Sequence, residues 1–214
     1  MTWPIDPSVI PAFLAAMVLV ELTPGPNMAY LAALSADRGR VAGFAAVLGI
    51  TAGLAVYLVA SVAGIAELLL VWRPAWEILR WAGVLYLLWL AWEAWRGADA
   101  DPDGVALPDG SRWRLVGRGF LANILNPKAA LFYVSLLPSF LRDGYAPTQV
   151  QAGLFGVTHL LISLILHSAI VLGAAQAGHL IAAFAPGSPM TRVRKGLAIG
   201  IALVAIWLAW ETRR

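Results

Sequence analysis

An apolar run from about Val9 to Leu34 is long enough to cross a lipid bilayer, but prolines interrupt it near its middle. The interruption is the stretch Thr23-Pro24-Gly25-Pro26-Asn27. Proline has no N–H to donate and disfavours helical geometry in the residue before it, so a helix break is predicted here. In lipid, freed backbone groups are costly unless protein or a water-filled cavity satisfies them. A break at this depth, next to Glu21, therefore predicts a functional site.

The composition places the chain among polytopic membrane proteins. Hydrophobic residues make up 60% of the sequence and charged residues 13%, whereas soluble domains have about 45–50% and about 25%. The net charge of +3 comes from basic residues scattered between apolar spans, which is typical of loops in an inserted protein. Nucleic acid is therefore excluded as a partner, and the lipid bilayer is expected. The absence of cysteine excludes disulfides and thiolate metal sites.

Six apolar spans are predicted, and one hydrophilic segment divides them into two groups of three. The spans cover residues 9–34, 41–71, 76–95, 115–141, 149–176 and 196–210. We expect a single all-α membrane domain over residues 1–214, with repeat one at about 1–96, a linker at about 97–114 and repeat two at about 115–214. No Lys or Arg precedes the first span, so we expect no signal peptide and a retained first span. In the second span, Ala45, Gly49 and Gly53 form a stripe of small residues, which we interpret as a helix-packing surface.

A second break is predicted in the fourth span, at Asn123-Ile124-Leu125-Asn126-Pro127-Lys128. Pro127 frees a carbonyl, and the residue before it is driven towards extended geometry. Three spans per half invert one half relative to the other, so the sequence predicts two inverted three-helix repeats with broken helices 1 and 4. In such folds the breaks meet around the substrate. The predicted substrate-binding residues are Thr23, Pro24, Gly25, Pro26, Asn27, Asn123, Asn126, Pro127 and Lys128.

Three ionisable residues inside the predicted spans are candidates for proton coupling. Glu21 lies well within the first span, where a carboxylate is costly and functional by default. His159 and His167 lie near one face of the fifth span, together with Ser163. The ordinary histidine pKa of about 6.5 suits proton exchange. Two structural readings stay open: Glu21 as an ion-pair partner of Lys128, and each histidine as a hydrogen-bonded core residue.

The distribution of basic residues predicts the orientation. Lys and Arg are more numerous in the joints that follow spans one, three and five than on the opposite side of the membrane. Because the more positive loops remain in the cytoplasm, both termini are expected outside.

Several stretches resemble the LysE/RhtB amino-acid exporters. They are the run from Glu21 to Asn27, then Ser35, Gly39, Ala42, Gly43, Gly49 and Gly53, and later Gly83 to Leu87 and Leu121 to Ala129. The resemblance covers almost the whole chain. It implies export of amino acids or related small zwitterions from the bacterial cytoplasm across the inner membrane, against inward proton flow. It implies no enzymatic activity, and we expect no catalytic residue, metal ligand or cofactor. The roles of Glu21 and the two histidines are not implied by the resemblance.

Two functions of other classes stay open. A divalent-metal or other cation exporter would use Glu21, His159 and His167 as ligands, although the lack of cysteine argues against soft metals. An intramembrane enzyme would use the same three residues, but no recognised motif joins them. A homo-oligomer also stays open.

Overall fold

The computed structural model describes residues 3–66, 71–97, 110–184 and 190–211, and all regular structure in these ranges is helical. A 3-10 turn at Pro7–Val9 precedes the first helix. The helices are α1 (Ile10–Leu22), α2 (Pro26–Val62), α3 (Arg73–Gly97), α4 (Gly110–Ile124), α5 (Pro127–Leu131), α6 (Thr148–Phe184) and α7 (Met190–Glu211). A π-helical turn, Phe132–Leu136, and a 3-10 turn, Leu137–Phe140, follow α5.

Both predicted helix breaks are present. Helix α1 ends at Leu22 and α2 begins at Pro26, while α4 ends at Ile124 and α5 begins at Pro127. Each second helix starts with proline, whose missing N–H is harmless in the first turn. Across the second break the helix axis bends by 53°. The prolines therefore end one helix and start the next.

The chain reverses direction within α2, at Gly39. This residue has φ 75° and ψ 179°, a conformation that glycine adopts without a side-chain clash. A Cβ atom built on Gly43 would collide with the Oγ of Ser35, whereas residues eight apart in a straight helix are separated by about 12 Å. The segments before and after Gly39 therefore pack side by side. This places a turn at the predicted joint between the first and second spans.

The predicted set of six spans is not confirmed. By length and hydropathy, α2 and α6 could cross a membrane, and a third span results if Arg112–Ile124 and Pro127–Phe140 count as one bent helix; this covers the described residues only. Helix α3 does form, but its tryptophans and charged side chains lower its hydropathy. Helix α7 also forms and is longer than the predicted sixth span.

The second span ends earlier than predicted. The apolar run continues to Val71, but α2 stops at Val62. Gly64 has φ 71°, and the amide of Ile65 donates to the carbonyl of Ala60. This is a glycine-based C-terminal cap, which ends a helix regardless of the hydrophobicity that follows. Most of the predicted linker at about 97–114 lies outside the described residues.

Glycines bring α2 and α4 into close contact. A Cβ atom on Gly49 would collide with the backbone of Val116, and one on Gly119 would collide with the carbonyl of Ala46. Gly53 lies one turn further along α2 and faces Asn123. The small-residue stripe is thus a packing surface, as predicted for its two glycines. It also fixes the second break close to α2.

Candidate functional site

One small cavity lies where the two helix breaks meet. Its volume is about 20 Å³, which suffices for about one water molecule. The predicted residues that line it are Glu21, Gly25, Asn27, Asn123, Asn126, Lys128, His159 and His167. Apolar residues complete the wall, namely Val20, Met28, Leu54, Ala129 and Phe132. The predicted residues Thr23, Pro24, Pro26 and Pro127 do not line the cavity and instead shape the two breaks.

Lys128 connects the second break to the first. Its Nζ donates a hydrogen bond of 2.7 Å to the carbonyl oxygen of Thr23. A Cβ atom on Gly25 would lie 3.4 Å from the Lys128 Cδ, an ordinary van der Waals distance, so the lysine stem lies directly against the first break. The Thr23 hydroxyl donates to the carbonyl of Leu19 at 2.7 Å. The backbone at the first break is therefore satisfied partly by a cation from the other half of the chain.

Backbone groups at the second break form hydrogen bonds with nearby polar groups. The Asn126 Oδ1 accepts from the amide of Lys128 at 3.0 Å, so Asn126 is the N-cap of α5. The backbone N–H of Asn126 donates to the backbone carbonyl of Asn123, the carbonyl that Pro127 leaves without its usual helical partner. The hydroxyl of Tyr57 donates to the carbonyl of Ile124 at 2.7 Å. Sequence reasoning missed Tyr57, because nothing in its apolar helix indicates a contact 67 residues away.

An asparagine pair joins the two halves. The Asn27 Nδ2 donates to the Asn123 Oδ1 at 2.8 Å, and Asn123 is fully buried. The Asn27 Oδ1 and the Asn123 Nδ2 are buried and have no hydrogen-bond partner within the part of the chain that the structure describes. If the oxygen and nitrogen positions of both side-chain amides were exchanged, one donor and one acceptor would still be unpaired. Because buried polar groups are nearly always paired, this unpaired donor and acceptor beside the cavity are suited to a polar ligand.

Glu21 lies at the centre of a buried hydrogen-bonded network. Its Oε1 is 2.9 Å from the His159 Nε2, and its Oε2 is 3.6 Å from the His167 Nε2. The other ring nitrogen of each histidine also has a partner: His159 Nδ1 lies 3.3 Å from the Tyr133 hydroxyl, and His167 Nδ1 lies 3.1 Å from the Ser163 Oγ. The structure therefore brings together the three predicted ionisable residues. The partner of Glu21 is a histidine, and no ion pair with Lys128 occurs among the described residues.

Sequence reasoning missed Tyr133, which belongs to the π-helical turn after α5. Phe132 in the same turn packs its ring 3.9 Å from the His159 ring, measured between centroids. A π-helical turn inserts one residue into the helical register, and such turns are frequent at functional sites. Helical periodicity alone cannot predict that shift in register.

The geometry gives no support to a metal site. Within the described ranges, no three His, Cys, Asp or Glu side chains are grouped so that they could hold a metal ion. Instead, the Glu21 carboxylate hydrogen-bonds to His159 at 2.9 Å and lies 3.6 Å from the Nε2 of His167.

Comparison with known proteins identifies the family. The family model described as LysE type translocator matches residues 18–212. The homoserine/homoserine lactone efflux protein of Salmonella typhi is 31% identical over 199 residues, which cover 92% of this chain and 94% of that protein. The leucine efflux protein of Enterobacter sp. (strain 638) is 28% identical over 167 residues, 76% of this chain and 78% of that protein. No solved structure matches the chain. Because the family model spans most of the sequence, this membrane protein belongs to the LysE type translocator family.

Proposed function

We propose that the chain is a secondary-active exporter of amino acids or related small zwitterions, and that it is not an enzyme. The observation that carries this proposal is the cavity at which both helix breaks meet, lined by the oppositely charged Lys128 and Glu21 and by an asparagine pair. A zwitterion needs a cationic and an anionic partner close together. Similar proteins are named as efflux proteins for homoserine and homoserine lactone and for leucine, and homoserine and leucine share this head group.

Substrate binding would exchange partners at the breaks. Lys128 now donates to the carbonyl of Thr23. A substrate carboxylate would accept hydrogen bonds from Lys128 and from the Asn123 Nδ2. The substrate ammonium would donate to the carbonyl of Thr23, which Lys128 releases, and to the Asn27 Oδ1. Each group that loses a partner gains another, so little hydrogen bonding is lost. The cavity of about 20 Å³ must expand to admit an amino acid, which requires the two broken helices to move apart.

Proton coupling would use Glu21 and the two histidines. A buried carboxylate that contacts an imidazole forms a pair whose proton is shared between the two groups. The approach of a substrate ammonium favours the ionised carboxylate, and its departure favours uptake of a proton. Alternation between the two cargoes gives antiport, with protons entering as the amino acid leaves.

For the architecture, we propose six spans arranged as two inverted three-helix repeats in one membrane domain, with spans one and four broken. The turn at Gly39 and the two proline breaks support this arrangement. We propose the bacterial inner membrane as the location, with both termini outside and the segment at about 97–114 in the cytoplasm. Single cysteines at Asp103 and Thr212, probed in intact cells with an impermeant thiol reagent, test the orientation. Labelling at position 103 without labelling at position 212 contradicts it.

Transport by the purified chain in proteoliposomes tests the function. Vesicles that are acidic inside are expected to accumulate labelled homoserine or leucine, because outward proton flow drives amino-acid entry in an antiporter. Collapse of the pH gradient with a protonophore is expected to abolish accumulation and to leave exchange of labelled for unlabelled substrate. Labelled lysine, Zn²⁺ and Mn²⁺ are the comparison cargoes. Transport of a metal ion without transport of any amino acid contradicts the proposal.

A further inference from the structure

Tyr133 contacts the Glu21–His159 pair but has no part in the function proposed above. Its side chain is fully buried, and its hydroxyl lies 3.3 Å from the His159 Nδ1. The opposite ring nitrogen, Nε2, lies 2.9 Å from the Glu21 Oε1. The imidazole is therefore held between a carboxylate and a phenol.

The state of the Nδ1 atom follows from the charge of the pair. When the pair carries no extra proton, the ionised Glu21 can only accept, so Nε2 bears the hydrogen and Nδ1 is a bare acceptor. When the pair takes up a proton, Nδ1 bears a hydrogen in either of two forms. One form is an imidazolium beside a carboxylate, and the other is a neutral Nδ1–H imidazole that accepts from a protonated Glu21. In both forms Nδ1 needs an acceptor.

A tyrosine hydroxyl meets both requirements, because it donates or accepts according to its rotation. We propose that Tyr133 is the positioning residue of the proton-coupling pair: its oxygen accepts a hydrogen bond from the Nδ1–H of His159 when the pair is loaded with a proton, and its O–H donates a hydrogen bond to Nδ1 when the proton has left. The proton comes from a hydronium ion, which becomes water as the N–H bond at Nδ1 forms. The phenol O–H bond stays intact in both states, and the departing proton is returned to a water molecule, so nothing else is consumed.

The other titratable groups around the Glu21–His159 pair lie on α6, α5 and α2. His167 on α6 faces the second carboxylate oxygen at 3.6 Å, and the charge of Lys128 on α5 acts on Glu21. Tyr57 from α2 stacks on Tyr133, with 6.0 Å between ring centroids. None of these groups hydrogen-bonds to His159 Nδ1 among the described residues. Loss of the Tyr133 hydroxyl would therefore leave the Nδ1–H unpaired in a buried site.

The test is the pH dependence of transport by Tyr133→Phe. Tyr133→Phe removes a hydrogen bond from Nδ1 in both proton states, but the loss is larger in the proton-loaded pair, because hydrogen bonds that involve a charged group are the stronger ones. The pH midpoint of gradient-driven homoserine accumulation is therefore expected to move to more acidic pH by roughly one unit. Substrate exchange at high pH, which needs no proton uptake, is expected to remain close to wild type. The matched control is Tyr30→Phe, because Tyr30 is also buried but its hydroxyl makes no hydrogen bond to any described residue. That control is expected to leave the midpoint unchanged.

An unchanged midpoint in Tyr133→Phe overturns the inference. If Tyr133→Phe does not reach the membrane, 4-fluorophenylalanine at position 133 fills the space of the hydroxyl without its hydrogen bonding, and the same acid shift is expected. The inference rests on the proposed proton-driven export, but the two fail differently. Failure of the proposed function abolishes the response of the wild type to a pH gradient, whereas failure of this inference leaves wild type and variant with equal midpoints.

Discussion

Gly53 on α2 leaves the space that Asn123 occupies, so Gly53→Ala is expected to disturb the asparagine pair. The new Cβ would lie 2.8 Å from the Asn123 Nδ2, 2.9 Å from the Asn123 Cβ and 3.2 Å from the carbonyl oxygen of Phe120. The closest contact is about 0.6 Å short of ordinary van der Waals separation, which begins near 3.4 Å. Overpacking of this kind typically costs about 1–3 kcal/mol.

Rotation of the Asn123 side chain cannot relieve the contact with its Cβ, so Asn123 must be displaced together with this part of α4. Its displacement would break the 2.8 Å hydrogen bond to Asn27. The substrate must then restore the amide geometry on binding, at a cost of about 1–3 kcal/mol, and 1.4 kcal/mol corresponds to a factor of ten. We therefore expect the KM for homoserine uptake into proteoliposomes to rise about tenfold or more, with the protein still inserted in the membrane.

The matched control for this prediction is Gly173→Ala on α6, where a Cβ atom would meet none of the described atoms within 4 Å. Both changes replace a helical glycine by alanine and so gain the same intrinsic helix stability, about 1 kcal/mol. The control is expected to transport with the KM of the wild type. If Gly53→Ala also keeps that KM, the asparagine pair does not contact the substrate and this reasoning is refuted.

Two further changes test the breaks themselves. Lys128→Met keeps an apolar stem but removes the charge and leaves the carbonyl of Thr23 unpaired, so substrate affinity is expected to fall at least tenfold in both exchange and gradient-driven transport. Lys195→Met on α7, which removes a lysine that lies over the Trp95 ring, is its control and should leave affinity unchanged. Pro127→Ala returns an N–H to the carbonyl four residues earlier, so the 53° bend should relax and yield an inserted but inactive protein. Transport by Pro127→Ala at the wild-type rate means that the bend is only a packing device.

The features that depend on local chemistry could be predicted from the sequence. Proline determines where both helices end, and Gly39 lies at the predicted joint, because backbone geometry at these residues is set by their own covalent structure. Glu21 could be selected because a carboxylate inside an apolar span has few structural reasons to be there. These inferences needed no knowledge of tertiary contacts.

The features that depend on distant contacts could not be predicted. Tyr57 satisfies a carbonyl 67 residues away, and Tyr133 reaches His159 only because a π-helical turn shifts the register. Lys128 was expected to bind substrate or to pair with Glu21, yet it donates to the backbone of the other break. The hydropathy pattern also overestimated the length of the second span, because the glycine cap at Gly64 ends α2 within an apolar run.

The central claim is that Glu21 couples proton flow to amino-acid export. The most direct measurement is homoserine accumulation under an imposed pH gradient by Glu21→Gln, which keeps the shape of the side chain and its hydrogen bonding but cannot titrate. Its control is Glu211→Gln at the exposed end of α7. Glu21→Gln is expected to lose gradient-driven accumulation and to retain part of the exchange of labelled for unlabelled homoserine, while Glu211→Gln behaves as wild type. Full accumulation by Glu21→Gln in response to the gradient contradicts the claim.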